Sequence, residues 1–144
     1  MRLLALALTV GLSIGSQCEP APNIVGKWSN ESYPLDTWFE FRDGGKFIGT
    51  FRVTRFDESV EINGIDLGSW SLSREGLWTD IRDSQWKVSG WDRRAVEGMR
   101  AYFQKNRKAL IEKHRNQTSN FKWITRDRFV LIEDETQRYF DRVR

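Results

Sequence analysis

From Ile24 onward, apolar and polar residues alternate with a period of two, in runs separated by turn-forming residues. That is the pattern of antiparallel strands with one buried face. In "DTWFEFRDGGKFIGTFRVTRF", Thr37, Phe39 and Phe41 share one face of a first arm. Phe47, Gly49, Phe51 and Val53 share one face of a second. Asp43-Gly44-Gly45 supplies the positive-φ turn between them. "IVGKWSN" predicts a strand before this hairpin. "SVEI", an Asn63-Gly64 turn and "IDLGSWSLS" follow, and after Arg74-Glu75-Gly76 come "LWTDIRD" and "SQWKVSGW". "FKWIT", "RFVLIED" and "QRYFDRV" predict three more strands near the end. The fold class is therefore mainly β, about nine strands in an antiparallel meander that closes or nearly closes into a barrel.

Two segments depart from this rhythm. In "WDRRAVEGMRAYFQKNRKALIEKHRNQTSN", Val96, Met99, Phe103 and Leu110 recur on one helical face, flanked by Ala95 and Tyr102. Asp92 is a good N-cap, so a helix is predicted from about residue 93 to 115. The other departure is the start of the chain. Arg2 is followed by an apolar run from Leu3 to Ile14, and then by Gly15, Ser16, Gln17 and Cys18. A run of this length suits a secretory signal and falls short of the roughly 20 residues that span a bilayer. Ser13 and Gly15 fit ordinary signal-peptidase cleavage. The small residues before Cys18 resemble a bacterial lipobox, which would make that cysteine the site of lipid attachment. The expected organisation is a signal peptide over 1–17, a tether over 18–23 containing Pro20 and Pro22, and one domain over 24–144.

Composition adjusts this picture. With one cysteine, no disulfide forms within the chain, and the fold must rest on its core. That core is aromatic: seven Trp, nine Phe and three Tyr. The net charge of +3 hides an asymmetry. Residues 19–92 carry 8 Lys or Arg against 13 Asp or Glu, and residues 93–122 carry 9 against 2. The basic character belongs to the helix, which would sit comfortably against an acidic barrel or dock an anionic partner.

Gly26-Lys27-Trp28 matches the G-x-W of the first strand in lipocalin-like barrels. The succession of "FEFRDGGKF", "GSWSL", "WITRDRFVLIED" and "YFDRV" resembles small bacterial lipocalin-like envelope proteins. The resemblance covers Ile24 to Val143. It implies that Trp28 closes one barrel end and that a late arginine, Arg142 or Arg144, packs over its ring by cation–π contact. The helix departs from the family pattern, being placed after about six strands, and so reads as an insertion or a lid over one mouth.

Catalysis finds no support in the residues. His114 is the only histidine, and no Ser-His-acid arrangement can be argued from spacing. Acid pairs such as Asp80 with Asp83, and Glu133 to Glu135, read as solvated strand ends and turns. A metal site needs more Cys or His ligands than one of each. No catalytic residue, metal or cofactor is assigned. The aromatics fit either a self-filled barrel or an apolar cavity, the cavity candidates being Phe39, Phe47, Phe51, Trp70 and Trp86. Trp70 shares a face with Leu72, and Trp86 with Val88. Trp91 has the opposite parity to Trp86, so one of the two faces outward unless a bulge intervenes. On the helix, Arg100, Arg107 and Lys108 are the candidate docking residues. The expected function is non-enzymatic binding of a small apolar or amphiphilic ligand in the bacterial envelope. The alternative is a protein-binding module acting as an inhibitor or immunity factor. Membrane contact is expected only through an N-terminal lipid anchor, and nucleic acid is not an expected partner.

Overall fold

The structure is a computed structural model that describes residues 21–55 and 58–144. The leader and the first half of the tether, Cys18 included, lie outside the described residues. Eight strands close into one antiparallel barrel in chain order. They are β1 (Gly26–Ser32), β2 (Leu35–Arg42), β3 (Lys46–Thr54), β4 (Glu61–Ser73), β5 (Gly76–Ser89), β6 (Gln117–Thr125), β7 (Arg128–Glu133) and β8 (Thr136–Arg142). The helix α1 (Arg93–Lys113) stands between β5 and β6. Asp92 caps it as expected, its carboxylate accepting from the Ala95 amide at 3.0 Å.

Eight strands form rather than nine because segments expected to be separate are continuous. Asn63-Gly64 is not a turn but the interior of β4, paired with Arg52 and Phe51 of β3. The glycine serves packing instead. A Cβ there would lie 2.1 Å from the Phe51 ring, so only glycine lets that ring lie across the β4 backbone. Likewise β5 runs unbroken from Gly76 to Ser89, with a bulge opposite Leu67 and Gly68.

The barrel is closed at one end by packed rings. Trp28, Phe41, Phe129 and Phe140 are fully buried, and Phe39, Trp70, Phe121 and Trp123 pack against them. Phe129 stacks on Phe140 at 5.0 Å and meets Trp28 edge-on at 4.8 Å, geometries that add to simple area burial. Trp28 is held further by its indole N–H, which donates to the Ile24 carbonyl at 2.7 Å. The Arg142 guanidinium lies over the Trp28 ring, 4.2 Å from its centroid, as the resemblance implied. Gly26 makes room for it: a Cβ there would approach Arg142 Nη1 to 2.9 Å, and φ is +131°.

Two seams are thinly paired. β1 meets β8 only at Trp28↔Arg142 and Ser29↔Asp141, and β5 meets β6 only over Leu77–Thr79. Above Thr79 the β6-facing edge of β5 would expose bare carbonyls, which a sheet edge must have covered. Helix α1 covers them. Arg100 donates to the Val88 carbonyl at 2.9 Å and Arg107 to the Ser84 carbonyl at 3.1 Å, and just past the helix Arg115 donates to the Asp80 carboxylate at 2.7 Å. Seven helical residues advance about 10.5 Å and four strand residues about 13 Å, so arginines at this spacing track β5. Val96, Met99 and Phe103 pack with Val60 and Val88 beneath.

Candidate functional site

The barrel end away from Trp28 holds an open cavity of about 770 Å³. Its floor and walls come from alternate, inward-facing positions: Phe39 on β2, Phe47 and Phe51 on β3, Leu77 and Ile81 on β5, and Leu131 on β7. Polar groups punctuate this lining. Thr37 stands on β2, Asp66 on β4 and Arg138 on β8, and Lys113 and His114 bring the end of α1 to the rim. The polar run from Gln117 to Asn120 on β6, with Glu133 and Asp134 at the β7–β8 turn, adds further polar lining.

Two of the charged groups are substantially withdrawn from water. Arg138 faces inward between Leu131 and Phe140. Its Nη2 donates to Thr37 Oγ1 at 2.6 Å, and its guanidinium carbon sits 5.4 Å from the Phe140 ring centroid. Burial pushes its pKa down from the usual arginine value, opposed by the charge of Glu133. Asp66 accepts from the Ser84 hydroxyl. Burial pushes the Asp66 carboxyl up, while the Ser84 hydrogen bond and the charge of His114 pull the other way.

Of the residues expected inside the barrel, Phe39, Phe47 and Phe51 line this cavity. Trp70 and Trp86 do not. Trp70 packs into the closed end, edge-on to Phe41 at 5.4 Å, and its indole N–H donates to the Arg42 carbonyl at 3.0 Å. Trp86 stacks on Phe103 of α1 at 5.1 Å. It lines a second, shallower groove of about 450 Å³ between the helix and β5. Trp91 is the outward member of the pair, 72% exposed. Of the docking candidates, Arg100 and Arg107 are occupied with β5, where Arg107 also pairs with Asp83, and Lys108 is exposed.

Asp80 corrects the reading of the acid pairs. It is not a solvated strand end but a buried residue within β5, 1% exposed. It accepts from Arg115, Arg82 and the Asn116 amide. These partners, Arg115 foremost, hold its carboxyl below the usual aspartate range. The cluster fixes the end of α1 to the barrel wall and thereby places His114 at the cavity rim. Arg138 and Asp66 were missed by sequence reasoning. The one signal for Arg138 was its parity: in "QRYFDRV" it shares a face with Phe140.

Among the described residues, no group of three or more His, Cys, Asp or Glu is placed to hold a metal ion. Among the same residues, no helix is long and apolar enough to cross a membrane. Set against known proteins, the chain matches no protein-family model and no curated protein.

Proposed function

We propose that this protein is a lipocalin-like binding protein of the bacterial cell envelope that holds a small apolar or amphiphilic ligand in the open end of its barrel. The observation that carries this reading is the cavity. Its volume of about 770 Å³ falls in the range of about 300–1,000 Å³ typical of small-molecule sites, and it sets an apolar floor that includes Phe39, Phe47 and Phe51 beneath a largely polar mouth. The buried core reaches the cavity floor, where Phe39, Phe47, Leu77, Ile81 and Leu131 belong to both, and the open space lies above it.

The start of the described chain sets how such an anchor would orient the barrel. Asn23 and Val25 are bound by Arg142 at the closed end. A signal peptide removed before Cys18, and a lipid on that cysteine, would tether the closed end and point the mouth away from the membrane. The protein-docking alternative draws less support, because Arg100 and Arg107 are used on β5 and leave Lys108 with Arg93, Arg94 and Lys105 as the exposed basic face.

The test is native mass spectrometry of protein taken gently from its own cells, paired with titration of the neutral dye Nile red. A small extra mass that leaves on denaturation, and saturable dye fluorescence, are the expected results. A bare chain that also fails to bind the dye overturns the proposal.

A further inference from the structure

We infer that the groove between α1 and β5, outside the barrel cavity, is a docking site for an extended acidic segment of a partner protein. The segment adds to the β5 edge at Trp86 and lays carboxylates on Arg100 and Arg107. The cover that α1 gives this edge has one gap. The register with β4 runs unbroken from Asp66↔Ser84 to Ile62↔Val88, so the peptide groups of Ser84, Trp86 and Val88 point to the same side of the strand. The Ser84 and Val88 carbonyls take Arg107 and Arg100. Among the described residues, no hydrogen bond reaches the N–H or the C=O of Trp86 between them. A donor and an acceptor side by side on a strand edge are a template for a further strand.

The groove that opens there, of about 450 Å³, is lined by Arg100, Arg107 and Lys87 and by no acid. Both arginines are held in place but not used up. Arg100 spends Nε and Nη2 on the Val88 carbonyl. Arg107 spends the same two nitrogens on the Ser84 carbonyl and on Asp83, which lies just outside the lining. Each guanidinium keeps its Nη1 donors for a further acceptor, and the Arg107 side chain is half exposed. A guanidinium already fixed by a backbone carbonyl loses little more freedom when it takes a carboxylate. Between the two, the Trp86 ring stacked on Phe103 offers an apolar shelf.

Together these features favour a polypeptide over other anions. The phosphate of a lipid or a nucleic acid has no donor for the Trp86 carbonyl and is repelled by it. A strand answers that carbonyl with an N–H and the Trp86 amide with a C=O, both from the one residue opposite. The side chain of that residue lies on the same face as the Trp86 ring, where an apolar group suits the shelf. The residues two places to either side come opposite Ser84 and Val88, where the guanidiniums stand. Four strand residues span about 13 Å. The fitting sequence is therefore two acids four places apart with an apolar residue midway.

Fluorescence anisotropy of a labelled, end-blocked peptide TETVTET, paired with amide hydrogen exchange followed by NMR, tests this. The Trp86 amide is expected to exchange fast in the free protein, unlike those of Gln85 and Lys87, which face β4, and to slow at least about tenfold with saturating peptide. The glutamine peptide TQTVTQT is expected to bind at least about tenfold more weakly, and TETVTET N-methylated at its valine about fivefold more weakly, the scale of one backbone bond. Lys87→Glu with Gln104→Glu, both at exposed positions, is expected to reverse the preference for TETVTET over the lysine peptide TKTVTKT, and an unchanged Tm shows that the variant is folded. No binding of TETVTET at millimolar concentration, equal binding of the three peptides, a preference that survives the double substitution, or a Trp86 amide that the peptide leaves unmoved overturns the proposal. Displacement of the peptide by phosphatidylglycerol vesicles gives the groove to a lipid surface, and a dimer that protects the Trp86 amide without peptide gives it to a second copy of this chain. Either result overturns the proposal as well.

Discussion

Arg142 is the residue whose removal best tests how the closed end is held. Its guanidinium covers Trp28 at 4.2 Å, donates to the Val25 carbonyl at 3.0 Å and to that of Asn23, and pairs with Asp127 at 3.1 Å. A partly desolvated cation–π contact contributes about 1–2 kcal/mol. Charge-assisted bonds to two carbonyls add about 1.5 kcal/mol each at the low end of their range, while the exposed Asp127 pair adds ~0–1 kcal/mol. These terms overlap and part is regained as the variant rehydrates, so Arg142→Ala is expected to cost about 3 kcal/mol, or roughly 10 °C in Tm for a domain of this size. Arg142→Lys keeps the charge but lacks the planar fork that reaches both carbonyls while lying flat on the indole. It is expected to recover only about 1 kcal/mol. Urea unfolding followed by tryptophan fluorescence measures both. Nile red binding is expected to stay close to wild type in the folded variants, because the cavity is at the other end. An Arg142→Ala loss under about 0.5 kcal/mol, or a lysine variant equal to wild type, would refute the reasoning.

Two further outcomes follow from the way α1 is attached. Replacing Arg100 and Arg107 together by Gln uncovers the Val88 and Ser84 carbonyls, and is expected to cost about 2 kcal/mol and to promote self-association through the exposed β5 edge, read by light scattering. Lys108→Gln, on the exposed face, is expected to change neither. Asp80 should shape the acid limb of stability. Its folded pKa is lowered, chiefly by Arg115. Its stabilising contribution is therefore full above the unfolded aspartate value near 3.8 and is lost as pH falls through the lowered folded value. Asp80→Asn is expected to lower stability at neutral pH and to flatten that part of the acid limb. A variant whose loss persists undiminished in strong acid would show that the cluster acts by packing rather than by charge.

How much of this was legible in the chain varies from element to element. Period-two alternation, glycine turns and the Asp92 cap act within a few residues of each other, so strands and helix could be read without knowing what packs on what, while closure at Trp28 was implied by the resemblance of Gly26-Lys27-Trp28 to lipocalin-like barrels. The Asn63-Gly64 pair misled because a turn dipeptide and a strand glycine look alike locally. What distinguishes them is the Phe51 ring lying across from the neighbouring strand. Parity also reaches only as far as the next bulge. Beyond the shift opposite Leu67 and Gly68, Trp86 keeps company with Val88 as counting expected, but counting could not show that α1 packs over the pair.

The sequence by itself determined an antiparallel barrel with an inserted basic helix, because local propensity and hydrophobic period are properties of the chain alone. Only the tertiary structure decided which aromatics plug the barrel and which line a cavity. It alone showed that the helical arginines are used on the β5 edge, that Asp80 is buried among arginines, and that Arg138 faces inward. Each of those depends on pairings between residues distant in sequence. Thr37 and Arg138 are 101 residues apart, and no local pattern encodes that they meet.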